Sequence, residues 1–109
     1  MKREINTYME IIFESVDFST LDRIEVIFRQ YRDQGAVKRA VWRSDGTGEC
    51  LRGGDNSILV PWTREETRLF SAERSFWLDT RPTTVTGLDL ETEPVELWMR
   101  PSLFEEVAE

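Results

Sequence analysis

The chain has 109 residues, with 14 lysines and arginines against 21 aspartates and glutamates, and so a net charge of −7. That length fits one domain spanning residues 1–109, able to bury roughly two-thirds of its unfolded surface without staples. The acidic balance repels a polyanion such as DNA, and the basic residues are scattered apart from a small group at Lys38, Arg39 and Arg43. Hydrophobic residues at 39% and charged residues at 32% indicate a globular chain rather than a disordered one. One cysteine, Cys50, leaves no internal disulfide and fits a reducing compartment. The opening "MKREINTYMEIIF" has charges but no apolar core followed by a cleavage site, so no secretory signal is read. No apolar run approaches the roughly 20 residues that cross a bilayer. The expectation is a non-membrane protein made in the cytoplasm.

Alternation of apolar and polar residues predicts the strands in chain order. Tyr8 to Phe13 is the first, and "VDFSTLDR" connects it to Ile24 to Tyr31. There Ile24, Val26 and Phe28 share one face and Glu25, Ile27 and Arg29 the other. Gln34-Gly35 turns the chain into Val37 to Arg43, which predicts a hairpin with a loop of more than two residues. "SDGTGECLRGGDNS" holds four of the six glycines and a short strand at Glu49 to Arg52. Ser57 to Val60 is the next strand, ended by Pro61, which cannot donate to a ladder. Ser75 to Thr80 and Val95 to Arg100 complete the set. Turn signals about every ten residues predict an all-β antiparallel sandwich of about seven strands.

Two capping boxes interrupt the strands. Thr63 and Glu66 can satisfy each other's backbone amides, which nucleates one helical turn. Leu69 and Phe70 then fall inward and plug the end of the core, so the turn carries the chain from one sheet to the other. Ser102 and Glu105, after Pro101, predict a short C-terminal helix with Leu103, Phe104 and Val107.

Chemistry is sparse. The absence of histidine removes the usual general base, the Ser-His and Cys-His pairs and the commonest zinc ligand. Cys50 has no basic partner and reads as a small strand residue. "DGTGE" lacks the third glycine of a dinucleotide fingerprint and the Gly-Lys-Ser/Thr ending of a P-loop, so it reads as a hairpin turn. Asp45, Glu49 and Asp55 lack the ordered spacing of a calcium loop. Acid pairs such as Glu65/Glu66 and Asp89/Glu91 are what a chain this acidic must contain, and a solvated surface explains them better than glycoside hydrolysis. No catalytic set, metal or cofactor is expected.

The tryptophans carry the one positive signal. Trp77 and Trp98 alternate against core-type neighbours, so paired strands would set them on an outer sheet face, and Trp42 can join them. Such a patch suits a protein partner or self-association, with a sugar as the alternative ligand; the other reading is that one of the three plugs the core and the rest are half covered by arginine stems.

The order of "DFSTLDRIEVIFRQ", then "NSILVPWTREETRLF", then two alternating strands resembles a family of small prophage-encoded proteins from tail-gene regions of Gram-positive bacteria. Leu21, Ile24, Val26, Phe28 and Gln30 carry the first motif, and Thr63, Glu65, Glu66, Thr67 and Phe70 the second. The resemblance implies an immunoglobulin-like sandwich without catalysis, serving as a phage structural or assembly component and associated with the virion.

Overall fold

The computed structural model describes residues 1–101. Seven strands form: β1 (Thr7–Ile12), β2 (Leu21–Arg29), β3 (Lys38–Arg43), β4 (Leu51–Arg52), β5 (Ser57–Trp62), β6 (Arg74–Thr84) and β7 (Val95–Met99). A single α-helical turn, α1 (Arg64–Thr67), lies between β5 and β6. The strands make a three-stranded sheet in the order β1-β5-β4 and a four-stranded sheet in the order β3-β2-β6-β7. All the strand pairs are antiparallel. The second expected helix, at Ser102 to Glu105, lies outside the described residues.

The sandwich follows from strand parity. On the four-stranded sheet Ile24, Val26 and Phe28 of β2, Ala40 and Trp42 of β3, Phe76 and Leu78 of β6 and Met99 of β7 are buried. They meet Ile58, Val60 and Trp62 of β5, with Met9 and Ile11 of β1 packed alongside. The centre is aromatic. Trp62 stands edge-on to Phe28 at 4.8 Å and lies 5.6 Å from Phe70 and 6.1 Å from Phe76. Burial of such rings is the largest favourable contribution in a core of this size.

In the constant-type immunoglobulin order the second strand would sit between the first and fifth. Here β2 lies between β3 and β6, and β1 pairs with β5 directly. The four-stranded sheet is therefore the wider one, with β2 and β6 at its centre.

Two strands run past prolines. β5 continues through Pro61 to Trp62, and β6 through Pro82 to Thr84. Proline is tolerated where its missing N–H would point off the ladder. Phe13 N–H donates to Asn56, which sets Ile58, Val60 and Trp62 toward β1 and turns Pro61 toward the β4 side. β4 pairs only with Leu59 and Ile58, so nothing in that strand needed a donor from Pro61. Pro82 likewise turns its carbonyl away from β2, where it accepts from Leu90 N–H at 2.8 Å.

The capped turn forms as its residues dictate. Thr63 Oγ1 accepts from Glu66 N–H at 3.1 Å and Glu66 Oε1 accepts from Thr63 N–H at 2.9 Å. It carries the chain from the three-stranded to the four-stranded sheet. Phe70 plugs the core, but Leu69 does not: it is exposed, because Arg68 closes the turn and Leu69 falls on its far side. The N-terminal segment holds this turn in place. Glu4 N–H donates to the buried Thr67 hydroxyl at 2.9 Å, and its carboxylate takes two bonds from Arg68 at 2.7 and 2.8 Å.

Candidate interaction surface

The residues that alternate outward from the four-stranded sheet define the candidate site. They are Arg39, Val41 and Arg43 on β3, Arg23, Glu25, Ile27 and Arg29 on β2, Trp77, Asp79 and Arg81 on β6, and Glu96 and Trp98 on β7. Cross-strand register sets Arg29 beside Trp77, Trp77 beside Glu96, and Trp98 beside Ser75. Trp77 and Trp98 are thus diagonal neighbours on one face, within reach of each other's rings. Trp98 is 53% exposed; Trp77 is half-buried, because the Arg32 guanidinium lies 4.9 Å from its ring centroid.

Trp42 does not join them. It pairs in register with Ile24, points inward with Ala40, and meets Phe18 edge-on at 5.3 Å. Arg52 seals that end of the core. Its guanidinium lies 4.1 Å over Phe18 and 6.0 Å from Trp42, and it is tied to the carbonyls of Gly54 and Asp55. The expectation of a three-tryptophan patch is corrected to two.

Beyond the tryptophans, the face holds a shallow depression of about 480 Å³ between β3, β2 and β6, with Ile27 and Val41 on its floor. Each of its carboxylates is engaged. Glu25 reaches Arg23 at 3.8 Å and Arg81 at 2.5 Å, Glu49 accepts from Val41 N–H at 2.9 Å, and Asp79 accepts from Thr80 N–H. Arg29, Arg39 and Arg43 have no ion pair among the described residues. Arg29 donates through Nη1 to the Arg32 carbonyl at 3.4 Å, while its buried Nε has no hydrogen-bond partner.

The opposite outer face, on the three-stranded sheet, is of a different character. Tyr8, Ile12 and Leu51 are exposed there, with Leu59 and Pro61 between them. Among the described residues, Glu10 is the carboxylate that alternates onto this face, and it accepts from Ser57 Oγ at 3.0 Å.

The other candidate groups are occupied structurally. Cys50 is buried and precedes β4, and burial, reinforced by Glu49, pushes its thiol up to about 12, which leaves almost no thiolate at neutral pH. Asp45 Oδ1 caps its own turn through Thr47 N–H and Oγ1, which hold its carboxyl below the ordinary range. Gly46 completes that turn at φ +80°, a conformation open to glycine. Glu66 serves the capping box, and Asp89 accepts from Thr83 Oγ1 at 2.8 Å. Among the described residues no group of three or more Asp, Glu or Cys side chains is arranged to hold a metal ion, and no helix is long and apolar enough to cross a membrane.

Comparison of the chain with protein-family models, with curated proteins and with solved structures finds no match.

Proposed function

We propose that this chain is a non-enzymatic interaction module whose contact surface is the outer face of the four-stranded sheet. The observation that carries the reading is the pair Trp77 and Trp98, set diagonally on that face and bordered by arginines. Tryptophan and arginine are the residues most enriched among side chains that dominate binding energy at protein interfaces. The rigid sheet beneath them keeps the entropic cost of association low. The motif order that resembles small prophage-encoded sandwich proteins supplies the setting in the same reading: a structural or assembly component of a phage-like particle. A glycan platform is less well supported, because stacking on Trp77 needs a ring face that Arg32 already covers.

Affinity capture from an extract of the cells that encode the chain tests this. Wild type and a Trp77→Ala/Trp98→Ala variant are compared, with near-UV circular dichroism establishing that both are folded. The reading predicts a defined protein, identified by mass spectrometry, that the wild type retains at least about tenfold better, as the loss of two anchor residues requires. Equal retention by the folded variant contradicts it.

A further inference from the structure

Resting on that reading of the face, we infer that its partner is an extended acidic protein segment, gripped by Arg29, Arg39 and Arg43 across the depression between β3 and β6. The first ground is charge. On a chain of net −7 these arginines stand together without ion-pair partners among the described residues, and with Arg81 they outnumber the carboxylates of Glu25, Glu49 and Asp79 around the depression by four to three. The local balance is positive, and an acidic partner complements it.

The second ground is an unused donor. Arg29 spends Nη1 on a carbonyl at 3.4 Å and keeps a buried Nε with no acceptor. A buried donor without a partner is costly, and the guanidinium fork is shaped for two parallel bonds to one carboxylate. Nε is closed off in the free chain, so a carboxylate arriving at Arg29 must turn the side chain to reach it, and pairing with Nε and Nη2 then relieves that cost in the complex alone.

The third ground is spacing. Arg39 and Arg43 are four residues apart on one strand, about 13 Å along it, with Val41 between them. In an extended segment, residues i, i+2 and i+4 face the same way over the same length. The face therefore matches acid, apolar residue and acid at alternate positions: one carboxylate over Arg43, one shared by Arg39 and its diagonal neighbour Arg29, and the apolar side chain over Val41 and Ile27. The segment lies on the sheet rather than adding to its edge, because Val41 already spends its edge N–H on Glu49 and its carbonyl on Cys50 N–H. Single-stranded RNA is disfavoured, because its charges repeat without the apolar interval that would cover Val41 and Ile27.

The probe is a fluorescein-labelled peptide in which Glu, Leu and Glu alternate with serines, followed by anisotropy against the intact chain and compared with a labelled RNA of equal charge. The inference predicts binding of the peptide that weakens as salt is raised from about 50 to about 300 mM. It predicts a loss of about tenfold in Arg39→Ser/Arg43→Ser, a clear loss in Arg29→Lys, which keeps the charge but not the fork, and little change in Arg74→Ser, whose side chain alternates away from this face. Preference for the RNA, or an equal loss in Arg74→Ser, overturns it. Absence of peptide binding while Trp77→Ala/Trp98→Ala still abolishes cellular capture also overturns it, yet leaves the contact surface standing. If the peptide does not bind and capture is unaffected, both readings fall.

Discussion

Replacing Trp62 by alanine is expected to lower stability by about 3–5 kcal/mol, the range for deleting a large buried aromatic, whereas Trp98→Ala is expected to change it by less than about 1 kcal/mol. Trp62 is 2% exposed and packs against Phe28 and Phe76 of the four-stranded sheet and Phe70 of the segment after α1. Lys38 Nζ caps its ring at 5.0 Å, a contact that a desolvated site strengthens. Its removal opens a cavity where the two sheets and the capped turn meet. Trp98 is half in water on the outer sheet face, so its deletion leaves no cavity. Urea unfolding of the two variants at neutral pH measures the contrast. A cost for Trp98→Ala comparable to that of Trp62→Ala would make Trp98 a core residue and remove it from the interface.

The second large effect centres on Glu66. One carboxylate does two tasks: Oε1 closes the capping box with Thr63, and Oε2 accepts from the buried Lys38 Nζ at 2.5 Å. The pair ties α1, the link between the two sheets, to β3. Glu66→Ala removes the carboxylate half of the capping box and strands a buried ammonium, and is expected to cost about 3 kcal/mol. Lys38→Met, which leaves only a half-exposed carboxylate behind, is expected to cost about 1 kcal/mol or less. The pH dependence follows. Burial pushes the Glu66 carboxyl up, but the Lys38 bond and the Thr63 amide outweigh it and hold the group below its ordinary value of 4.5. A carboxyl whose folded value lies below its unfolded one stabilises fully above the unfolded value and loses that contribution as pH falls through the folded one. Glu4, held down chiefly by the Arg68 bond, and Asp17, held down by the Ser19 hydroxyl and amide, act in the same direction. Stability measured by denaturant at stepped pH is therefore expected to be flat near neutrality and to fall below about pH 4.5, with a shallower fall in Glu66→Gln. A Glu66→Ala cost no larger than that of the exposed neighbour Glu65→Ala would contradict this account.

Much of the architecture was legible in the residues. Ile24, Val26 and Phe28 on one parity against Glu25 and Arg29 on the other mark a strand with one buried side, and the reciprocal Thr63/Glu66 spacing marks the capped turn. The failures have physical causes. Pro61 and Pro82 were expected to lie beyond strand ends, but each directs its missing donor where no neighbouring strand needs one, which depends on partners that the local sequence does not reveal. Val41 and Trp42 are both apolar, so composition left their parity open, and a lysine at position 38 argued against that set pointing inward. The structure buries Lys38 all the same, because Glu66 and the Trp62 ring receive its ammonium. Arg39 and Arg43 flanking Val41 were the signal that could have resolved the parity: paired arginines at alternate positions mark an outer face. Leu69 and Phe70 posed the same problem at the end of a single turn, where one residue of rotation decides which is buried.

The arginine face was hidden for a related reason. Arg23, Arg29, Arg39, Arg43 and Arg81 are scattered along the chain and come together only through the β3-β2-β6 order. Averaged over the whole molecule, they vanish into a net charge of −7. Only the pairing register shows that they share one surface with Trp77 and Trp98.

Site-specific photocrosslinking in the cells that encode the chain tests the central claim most directly. A photoreactive phenylalanine analogue is placed in turn at Trp98 and Val41 on the arginine face, and at Leu51 and Ile12 on the opposite apolar face. The account predicts that the first two positions yield a covalent adduct with one and the same protein and that the last two do not. Adducts from Leu51 and Ile12 alone would contradict it, and would move the contact surface to the three-stranded sheet.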